Sequence, residues 1–315
     1  MSERQPIRVG RRTFEVSNLH KVLFPDDGIT KGDLIEHYER VAELMLPHVK
    51  QRPAAMERYP DGIRGPRIFH KDVPDYFPDW IERVRVRKAG GSLQQVVCSE
   101  AATLTYLANQ ACITPHVFLS RVDRIDEPDQ MIFDLDPPGE GFDDARKVAL
   151  SLRGLLDELA LPSFVKTTGG KGLHVVVPLD RSAGFDEVRT FARDVADVLI
   201  ERDPDNLTRA PRKERRGGRL FLDVMRNAYA QTAAPPYAVR ARPGAPIATP
   251  LDWTEVEDRS LRPSRFTMST IGGKLERDDD PWRGFRRRGR SLRSARARLD
   301  RMHREGSAER KRVAR

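Results

Sequence analysis

The chain has 315 residues and a formal net charge of +9, with 56 Lys and Arg against 47 Asp and Glu. This length suits one large domain or two small ones. No apolar run approaches the roughly 18 residues of a membrane-spanning helix, and the N-terminus lacks a hydrophobic signal region, so we expect a cytoplasmic protein without a membrane partner. Cys98 and Cys112 have no further ligands at close spacing, which disfavours a zinc site.

The positive charge is concentrated at the C-terminal end. Residues 281–315 hold 13 Arg and one Lys against three acidic residues, a net charge of +11, which leaves −2 for the first 280 residues. Basic segments commonly bind phosphate backbones, and a solvated extension is the alternative. Leu292, Ala295, Leu299 and Met302 recur at helical spacing among the arginines, which predicts an amphipathic helix that docks on the body, on DNA or, least of all, on a membrane.

Apolar residues at helical spacing predict four helices before this tail. Thr30 and Asp33 have the spacing of a capping box at the start of the first. The predicted helices cover residues 30–49, a segment opened by Ser99 and Glu100, 143–159 and 185–200.

Strand patterns alternate with these helices. The predicted strands cover residues 94–98, 130–135, 163–167, 173–178 and 219–225. From residue 130 to 225 the order is strand, helix, strand, strand, helix, strand, the split β-α-β-β-α-β pattern of an α+β protein. This pattern is similar to the palm of several nucleotidyltransferases, although a fold alone proves no function.

Three acidic residues lie on or at the ends of two of these strands. Asp134 and Asp136 are two residues apart in Phe-Asp-Leu-Asp-Pro-Pro, so their side chains leave one face of the strand. Asp223 in Leu-Phe-Leu-Asp-Val supplies a third carboxylate from another strand. Such a trio suits hard divalent cations and, through them, phosphates. The alternative is a turn whose Asp side chains cap the backbone.

The loop Thr-Thr-Gly-Gly-Lys-Gly-Leu-His, residues 167–174, joins two strands. Its glycines let backbone amides approach a ligand, while Thr168 and Lys171 offer a hydroxyl and a cation for a polyphosphate. It is not a Walker A loop, because a strand and not a helix follows Lys171. A plain glycine hairpin with a surface lysine is the alternative.

Other chemistries are disfavoured. Tyr-Pro-Asp-Gly, starting at Tyr59, has tyrosine where adenylating ligases carry their lysine nucleophile, which excludes a ligase site there. The seven histidines have no metal-binding spacing, and no Gly-x-Ser-x-Gly elbow is present.

Several motifs together resemble the polymerase domain of bacterial non-homologous end-joining ligase D, in the archaeo-eukaryotic primase superfamily, in a stand-alone form. The motifs are Leu-His-Lys-Val-Leu-Phe-Pro (19–25), Thr-Lys-Gly-Asp (30–33), Phe-Asp-Leu-Asp-Pro-Pro (133–138), the 166–174 loop, Leu-Asp-Val-Met-Arg-Asn (222–227) and Pro-Tyr-Ala-Val-Arg-Ala-Arg-Pro-Gly-Ala-Pro (236–246). The resemblance implies a primase-polymerase fold with an RRM-like palm. Its catalytic domain would cover residues 1–282, with an N-terminal α/β part (1–125) packed on the palm (about 126–280), and 283–315 would be an extension.

The resemblance also implies roles for individual residues. Asp134, Asp136 and Asp223 would hold two divalent metals, Mn²⁺ or Mg²⁺. The residues implied to bind the nucleotide, NTP or dNTP, are Thr168, Gly169, Gly170, Lys171, His174, His116 near the sugar, Arg226 and Arg240. Those implied to bind DNA are Lys21 and Lys31 on the 5′-phosphate of a break or gap, Arg58, and Phe69 stacked on bases. Thr168 replaces the family's usual serine and keeps the hydroxyl.

The expected function is therefore metal-dependent primer extension and gap filling at DNA breaks, with a preference for ribonucleotides. Ku and a DNA ligase would be its partners, at the nucleoid. One alternative is a primase that starts chains de novo, although the zinc-binding cysteine cluster common in cellular primases is absent. A non-catalytic protein that binds DNA ends through the Arg-rich tail is the other.

Overall fold

The structure, a computed structural model, describes residues 4–139, 141–276 and 280–313, with side chains described up to residue 305. The α-helices are α1 (Lys31–Arg40), α2 (Ala42–Val49), α3 (Ala101–Asn109), α4 (Phe142–Glu158), α5 (Phe185–Arg202), α6 (Trp253–Glu257), α7 (Gly272–Leu275) and α8 (Leu292–Val313). Within these ranges, 3₁₀ helices cover Lys213–Arg215, Met225–Asn227 and Phe285–Arg288.

The strands of the first half are β1 (Arg4–Val9), β2 (Arg12–Ser17), β3 (Val22–Phe24), β4 (Ile29–Thr30), β5 (Pro53–Arg58), β6 (Ile68–His70), β7 (Arg83–Lys88), β8 (Gly91–Val97), β9 (Cys112–Phe118), β10 (Ser120–Arg121) and β11 (Arg124–Pro128). Those of the second half are β12 (Gln130–Asp136), β13 (Phe164–Thr167), β14 (Leu173–Pro178), β15 (Leu207–Thr208), β16 (Leu220–Asp223), β17 (Thr232–Ala233) and β18 (Pro250–Leu251).

The predicted helix over residues 30–49 is two helices. Its start is confirmed, since the Thr30 hydroxyl accepts from the Asp33 amide and the Asp33 carboxylate accepts from the Thr30 amide. The chain then turns at Val41, where α1 ends and α2 begins. Both helices bury their apolar faces in the same core, so the apolar spacing continues across the break and does not reveal it.

In the described part of the chain, the palm sheet has six strands in the order β15-β16-β12-β14-β13-β18. Strands β12, β13, β14 and β16, with α4 and α5, form the predicted split β-α-β-β-α-β unit. Their spatial order, β16-β12-β14-β13, places the first and third strands in the centre and the second and fourth outside them. Helices α4 and α5 pack against each other and against β12. The predicted α+β palm is confirmed.

A second sheet lies mostly in the first half of the chain, in the order β17-β9-β5-β8-β7 with β6 paired to β5. A buried charge cluster connects it to the palm. Asp129, just before β12, accepts from Arg52 at 2.6 Å and from Arg121 at 2.7 Å. Because all three side chains are almost fully buried, removal of one would leave an uncompensated charge.

The C-terminal tail forms the predicted amphipathic helix, α8, and this helix docks on the body. Leu292, Ala295 and Leu299 are buried in the main core, and Arg296 donates to Asp194 of α5 at 2.5 Å. The division of the chain at residue 282 stays a prediction. Within the three described ranges, none of the helices combines the length and apolar character that crossing a membrane requires.

Candidate active site

Four ionisable residues form one row across the palm sheet. Asp134 on β12 lies opposite Asp223 on β16 and opposite His174 on β14, and His174 lies opposite Lys166 on β13. Residues that pair in this way project from the same face of a sheet. Strand register therefore brings Asp223, Asp134, His174 and Lys166 together, although they are up to 89 positions apart in the sequence.

Asp134 is buried and ionised. Its two oxygens accept from His174 Nε2 at 3.3 Å and from Arg226 Nε at 3.3 Å. Burial alone raises the pKa of this carboxyl, but the His174 and Arg226 contacts outweigh that effect and lower it. Burial lowers the pKa of His174 to about 4, so at neutral pH a neutral imidazole donates to the carboxylate.

Asp136 and Asp223 are less fully compensated, since the charges of Arg216 and Arg226 lower both pKa values but do not outweigh the opposing effects. Although the Asp136 side chain is exposed, partial desolvation by the surrounding protein, together with the charges of Asp134 and Asp223, raises its pKa to about 6. The pKa of Asp223 is also raised, first by burial and then by the charge of Asp134, although its carboxylate accepts from the Met225 amide at 2.7 Å. This end of the sheet therefore holds more negative charge than its surroundings neutralise.

The donor chemistry of these acids fits a divalent cation. Carboxylate oxygens are the preferred ligands of Mg²⁺ and Mn²⁺, and a cation would relieve the repulsion that raises two of the pKa values. Among the described residues, however, no three acidic, His or Cys side chains already have a metal-binding arrangement. Asp134 would have to exchange Arg226 for the metal.

Asp134 and Asp136 line a cavity of about 600 Å³ between the palm and the second sheet. Asp223 is outside this lining and borders a smaller cavity of about 290 Å³ beside Phe221 and Met225. The other side chains on the large cavity are mostly cationic or polar. The cationic and polar ones are His116, Thr168, Lys171, His174, Lys213, Arg216, Arg219, Arg226, Thr232, Arg240 and Arg242. Such a lining suits a polyphosphate.

The loop between β13 and β14 forms a tight turn on the cavity wall. The Thr168 hydroxyl accepts from the Gly170 amide at 3.1 Å and donates to the Gly172 carbonyl. The Lys171 ammonium donates to the Gly139 carbonyl at 3.1 Å, which connects this loop to the turn after β12. Thr168, Gly170 and Lys171 all line the cavity.

Two glycines of this loop are required by packing. A Cβ on Gly172 would lie 1.9 Å from the Leu135 carbonyl oxygen, and one on Gly169 would lie 2.5 Å from Arg240 Cγ, at a φ of +63°. Of the three, Gly170 is on the cavity lining, and the expectation that backbone amides of all three glycines approach a ligand stays a prediction.

His116 lies on the opposite wall, on β9. Its Nε2 donates to Glu57 Oε2 at 2.8 Å, and its ring packs edge-on against Phe69 with centroids 5.4 Å apart. Phe69 is opposite Glu57 in the β5–β6 pair and borders a separate shallow hollow with His70 and Lys71. The predicted sugar-facing and base-stacking residues therefore touch each other.

The remaining predicted DNA-binding residues lie beyond this wall. The Lys31 amide donates to the Lys21 carbonyl, but only Lys21 is well exposed, where its ammonium pairs with Asp61. Lys31 is buried, and its ammonium donates to the backbone and side-chain oxygens of Asn109. Burial, and then the charge of Lys21, lowers its pKa to about 8. Arg58 reaches Gln110, His70 and Tyr76.

Two residues of the site are absent from the sequence predictions. Lys166 precedes the glycine loop and is 2% exposed; its ammonium has no hydrogen-bond partner in the described part of the chain, and burial lowers its pKa to about 7. Glu57 is buried in β5, where the four residues before it in the strand are apolar. Polar residues in strands that are otherwise buried are the signal that could have identified both.

An RRM-like palm with acids at its strand ends, facing a cationic cavity, defines the class of primase-polymerase folds. In agreement, the sequence family described as "LigD, primase-polymerase domain" matches residues 30–282. The chain belongs to this family.

Relatives extend this assignment. The multifunctional non-homologous end joining DNA repair protein LigD of Mycobacterium tuberculosis is 33% identical over 277 residues, 84% of this chain and 36% of that protein. The bifunctional LigD of Bacillus subtilis is 31% identical over 275 residues, 87% and 44% respectively. The polymerase domain of M. tuberculosis Ligase D, solved in complex with DNA, superposes with a TM-score of 0.82 at 32% identity, over 86% of this chain and 97% of that one. This chain thus spans less than half the length of these curated relatives.

Proposed function

We propose that this chain is a metal-dependent nucleotidyltransferase that extends primer 3′ ends and fills gaps at DNA breaks during non-homologous end joining. The observation that carries the proposal is the placement of Asp134 and Asp136 on a cavity lined by a glycine loop and by cationic side chains. Membership of the LigD primase-polymerase family supports it, as do relatives named for end joining.

The acids would hold two divalent cations, Mn²⁺ or Mg²⁺, through Asp134, Asp136 and Asp223. When bound, such ions lower the pKa of a primer hydroxyl and neutralise the leaving pyrophosphate. Lys171, Arg226 and Arg240 face the same cavity and offset the negative charge that develops on the phosphates. With a metal in place of Arg226 at Asp134, the Arg226 guanidinium would be free to bind the triphosphate.

Nucleotide and DNA occupy different parts of the surface. Thr168 and Gly170 orient the triphosphate on the palm wall, and His116 contacts the sugar from the opposite wall. His174, which lies beside Asp134 on the lining of the same cavity, positions that carboxylate and faces the triphosphate. Phe69, beside His116, stacks on a base, and Lys21 binds the 5′-phosphate of the break or gap with Arg58 nearby. Because Lys31 is buried, it attracts the 5′-phosphate through its positive charge and leaves direct contact with the phosphate to Lys21. A preference for ribonucleotides, and Ku and a separate ligase as partners, complete the proposal.

The test is incorporation on gapped DNA with a 5′-phosphate, with ribo- or deoxynucleotides, in Mn²⁺ or Mg²⁺, by the wild type and by Asp134→Asn. We expect extension that needs a metal and a primer and that the variant loses while it still binds DNA. Full activity of the variant would overturn the site assignment. Synthesis on an unprimed template would favour a primase, and DNA binding with no extension in any condition would favour an end-binding protein.

A further inference from the structure

Glu57 is a buried acid that belongs to the second sheet and not to the palm. It is 7% exposed. One carboxylate oxygen accepts from His116 Nε2 at 2.8 Å, and the other accepts from the Tyr59 hydroxyl at 3.3 Å, with Arg67 at 3.6 Å. A buried carboxylate needs such partners to stay ionised.

The charge state of Glu57 follows from these contacts. Burial, the largest single effect, raises its pKa, but the hydrogen bond and charge of His116, with the charges of Arg240 and Arg67, together lower it to about 2. At neutral pH Glu57 is therefore a carboxylate, which can only accept hydrogen bonds.

This fixes the hydrogen on the His116 ring. Burial lowers the pKa of His116 even though the Glu57 contact opposes this, so the ring is neutral and carries one N–H. Because Glu57 can only accept, that N–H is on Nε2, and Nδ1 is left as an acceptor. No hydrogen bond to Nδ1 from a described residue is present, and His116 lines the large cavity. The edge-on contact with Phe69 limits rotation of the ring.

We propose that Glu57 is a positioning residue that sets the tautomer of His116, so that Nδ1 offers a hydrogen-bond acceptor to a sugar hydroxyl of the bound nucleotide. The inference rests on the proposed function, in which His116 faces the sugar. A ribose 2′-hydroxyl can donate to this acceptor. A deoxynucleotide has no hydroxyl at that position and leaves the acceptor unpaired, which makes Glu57 a determinant of sugar selectivity.

The first measurement needs no activity. In ¹⁵N NMR of the wild type, we expect the His116 ring to show the Nε2–H tautomer at neutral pH. Glu57→Gln retains the size of the side chain but can donate from its amide, so we expect the Nδ1–H form to become populated. A wild-type ring with its hydrogen on Nδ1, or an unchanged tautomer in Glu57→Gln, overturns the proposal even if the polymerase activity is established.

The second measurement is sugar selectivity by steady-state kinetics. For Glu57→Gln we expect kcat/KM for ribonucleotides to fall about tenfold, mainly through KM, and the value for deoxynucleotides to fall less. In the background of His116→Ala, the same substitution should leave the ribo-to-deoxyribo ratio as it is. An equal loss for both sugars, or an effect that persists without His116, means a structural role and contradicts the proposal. A wild type that incorporates neither sugar overturns the proposed function instead, and the NMR result remains separate.

Discussion

The two walls of the cavity differ in how well their charged groups are satisfied. On the palm wall, Asp136 has a raised pKa, and the polar atoms Lys166 Nζ and His174 Nδ1 are buried without a hydrogen-bond partner among the described residues. On the wall of the second sheet, Glu57 contacts His116, Tyr59 and Arg67. A wall whose charged and polar groups lack partners can bind charged ligands that supply those partners. A wall whose groups are already paired holds its side chains in a fixed orientation.

The largest expected effect is on the palm wall. Asp136→Asn should reduce extension of a primed gap by at least about 1,000-fold. The variant lacks a carboxylate that would hold a metal ion at the reacting phosphate. Its free energy of unfolding at pH 7 should nevertheless rise. The folded pKa of about 6 lies above the usual 3.8, so the acid contributes stability that is full below pH 3.8 and lost as the pH rises through 6.

Asp136→Asn removes this loss. After discounting for solvent screening, it should raise the free energy of unfolding at pH 7 by about 1 kcal/mol. Primer extension assays and urea unfolding at pH 4 and pH 7 check both effects. A variant that is equally destabilised at both pH values would show that the carboxylate is structurally satisfied, and the contrast between the walls would fail.

The next effect concerns Lys166, which lies on the same row as Asp134. Lys166→Met should raise the free energy of unfolding at pH 7 by about 2 kcal/mol, since it replaces a buried ammonium that lacks a partner. The pKa of about 7 in the folded protein lies below the usual 10.5. The wild type should therefore gain stability between pH 7 and 10.5, where the unfolded chain binds more protons, and the variant should not.

Lys171→Met provides the matched control, because Lys171 is exposed in the adjoining loop. Chemical unfolding as a function of pH for both variants is the measurement. If both variants behave alike, or if Lys166→Met is destabilised at pH 7, the ammonium has a partner in solution and the palm wall is better satisfied than the structure indicates.

On the wall of the second sheet, we expect substitution to change the free energy of unfolding in the opposite direction. Glu57→Gln should lower the free energy of unfolding at pH 7 by about 1 kcal/mol, because the contacts of the carboxylate with His116 and Arg67 lose their charge. The folded pKa of about 2 lies below the usual 4.5. This stability is therefore present above pH 4.5 and lost as the pH falls through 2, and the variant should lack that acid dependence.

Acid unfolding of the two proteins measures this effect. Equal acid profiles for the wild type and Glu57→Gln would mean that the carboxylate is not held more tightly than in the unfolded chain. The two walls would then not differ in the way proposed.

The sequence predicted the palm better than it predicted the second wall, for a physical reason. Asp134 and Asp136 were found because strand alternation is a local property, and the glycine loop because it is contiguous. The cross-strand neighbours of Lys166 and Glu57 are set only by register with other strands, which no local pattern specifies. The break at Val41 was missed because apolar spacing continues across it. The close approach of Gly172 to the Leu135 carbonyl depends on how the loop packs on β12.

The smallest expected effect is on DNA binding by the C-terminal tail, for which deletion of the tail is not a clean experiment. Deletion of residues 283–315 would remove Leu292, Ala295 and Leu299 from the core, so weaker DNA binding after deletion would be ambiguous. Replacement of Arg287, Arg293 and Arg301 by Gln keeps the buried face. All three are exposed, and no ion pair with a described residue is present for them.

If the exposed face of the tail binds DNA, this triple variant should flatten the slope of log K against log salt by about 0.9 for each phosphate that the tail no longer neutralises. The control is Gln at Arg4, Arg8 and Arg11, which removes the same charge from the exposed N-terminal hairpin. DNA binding by fluorescence anisotropy between low and physiological salt gives both slopes. Because net charge changes equally in the two variants, a general field effect would flatten both slopes, and only direct binding of DNA by the tail would flatten one. Equal slopes would reduce α8 to a helix that completes the core on α5.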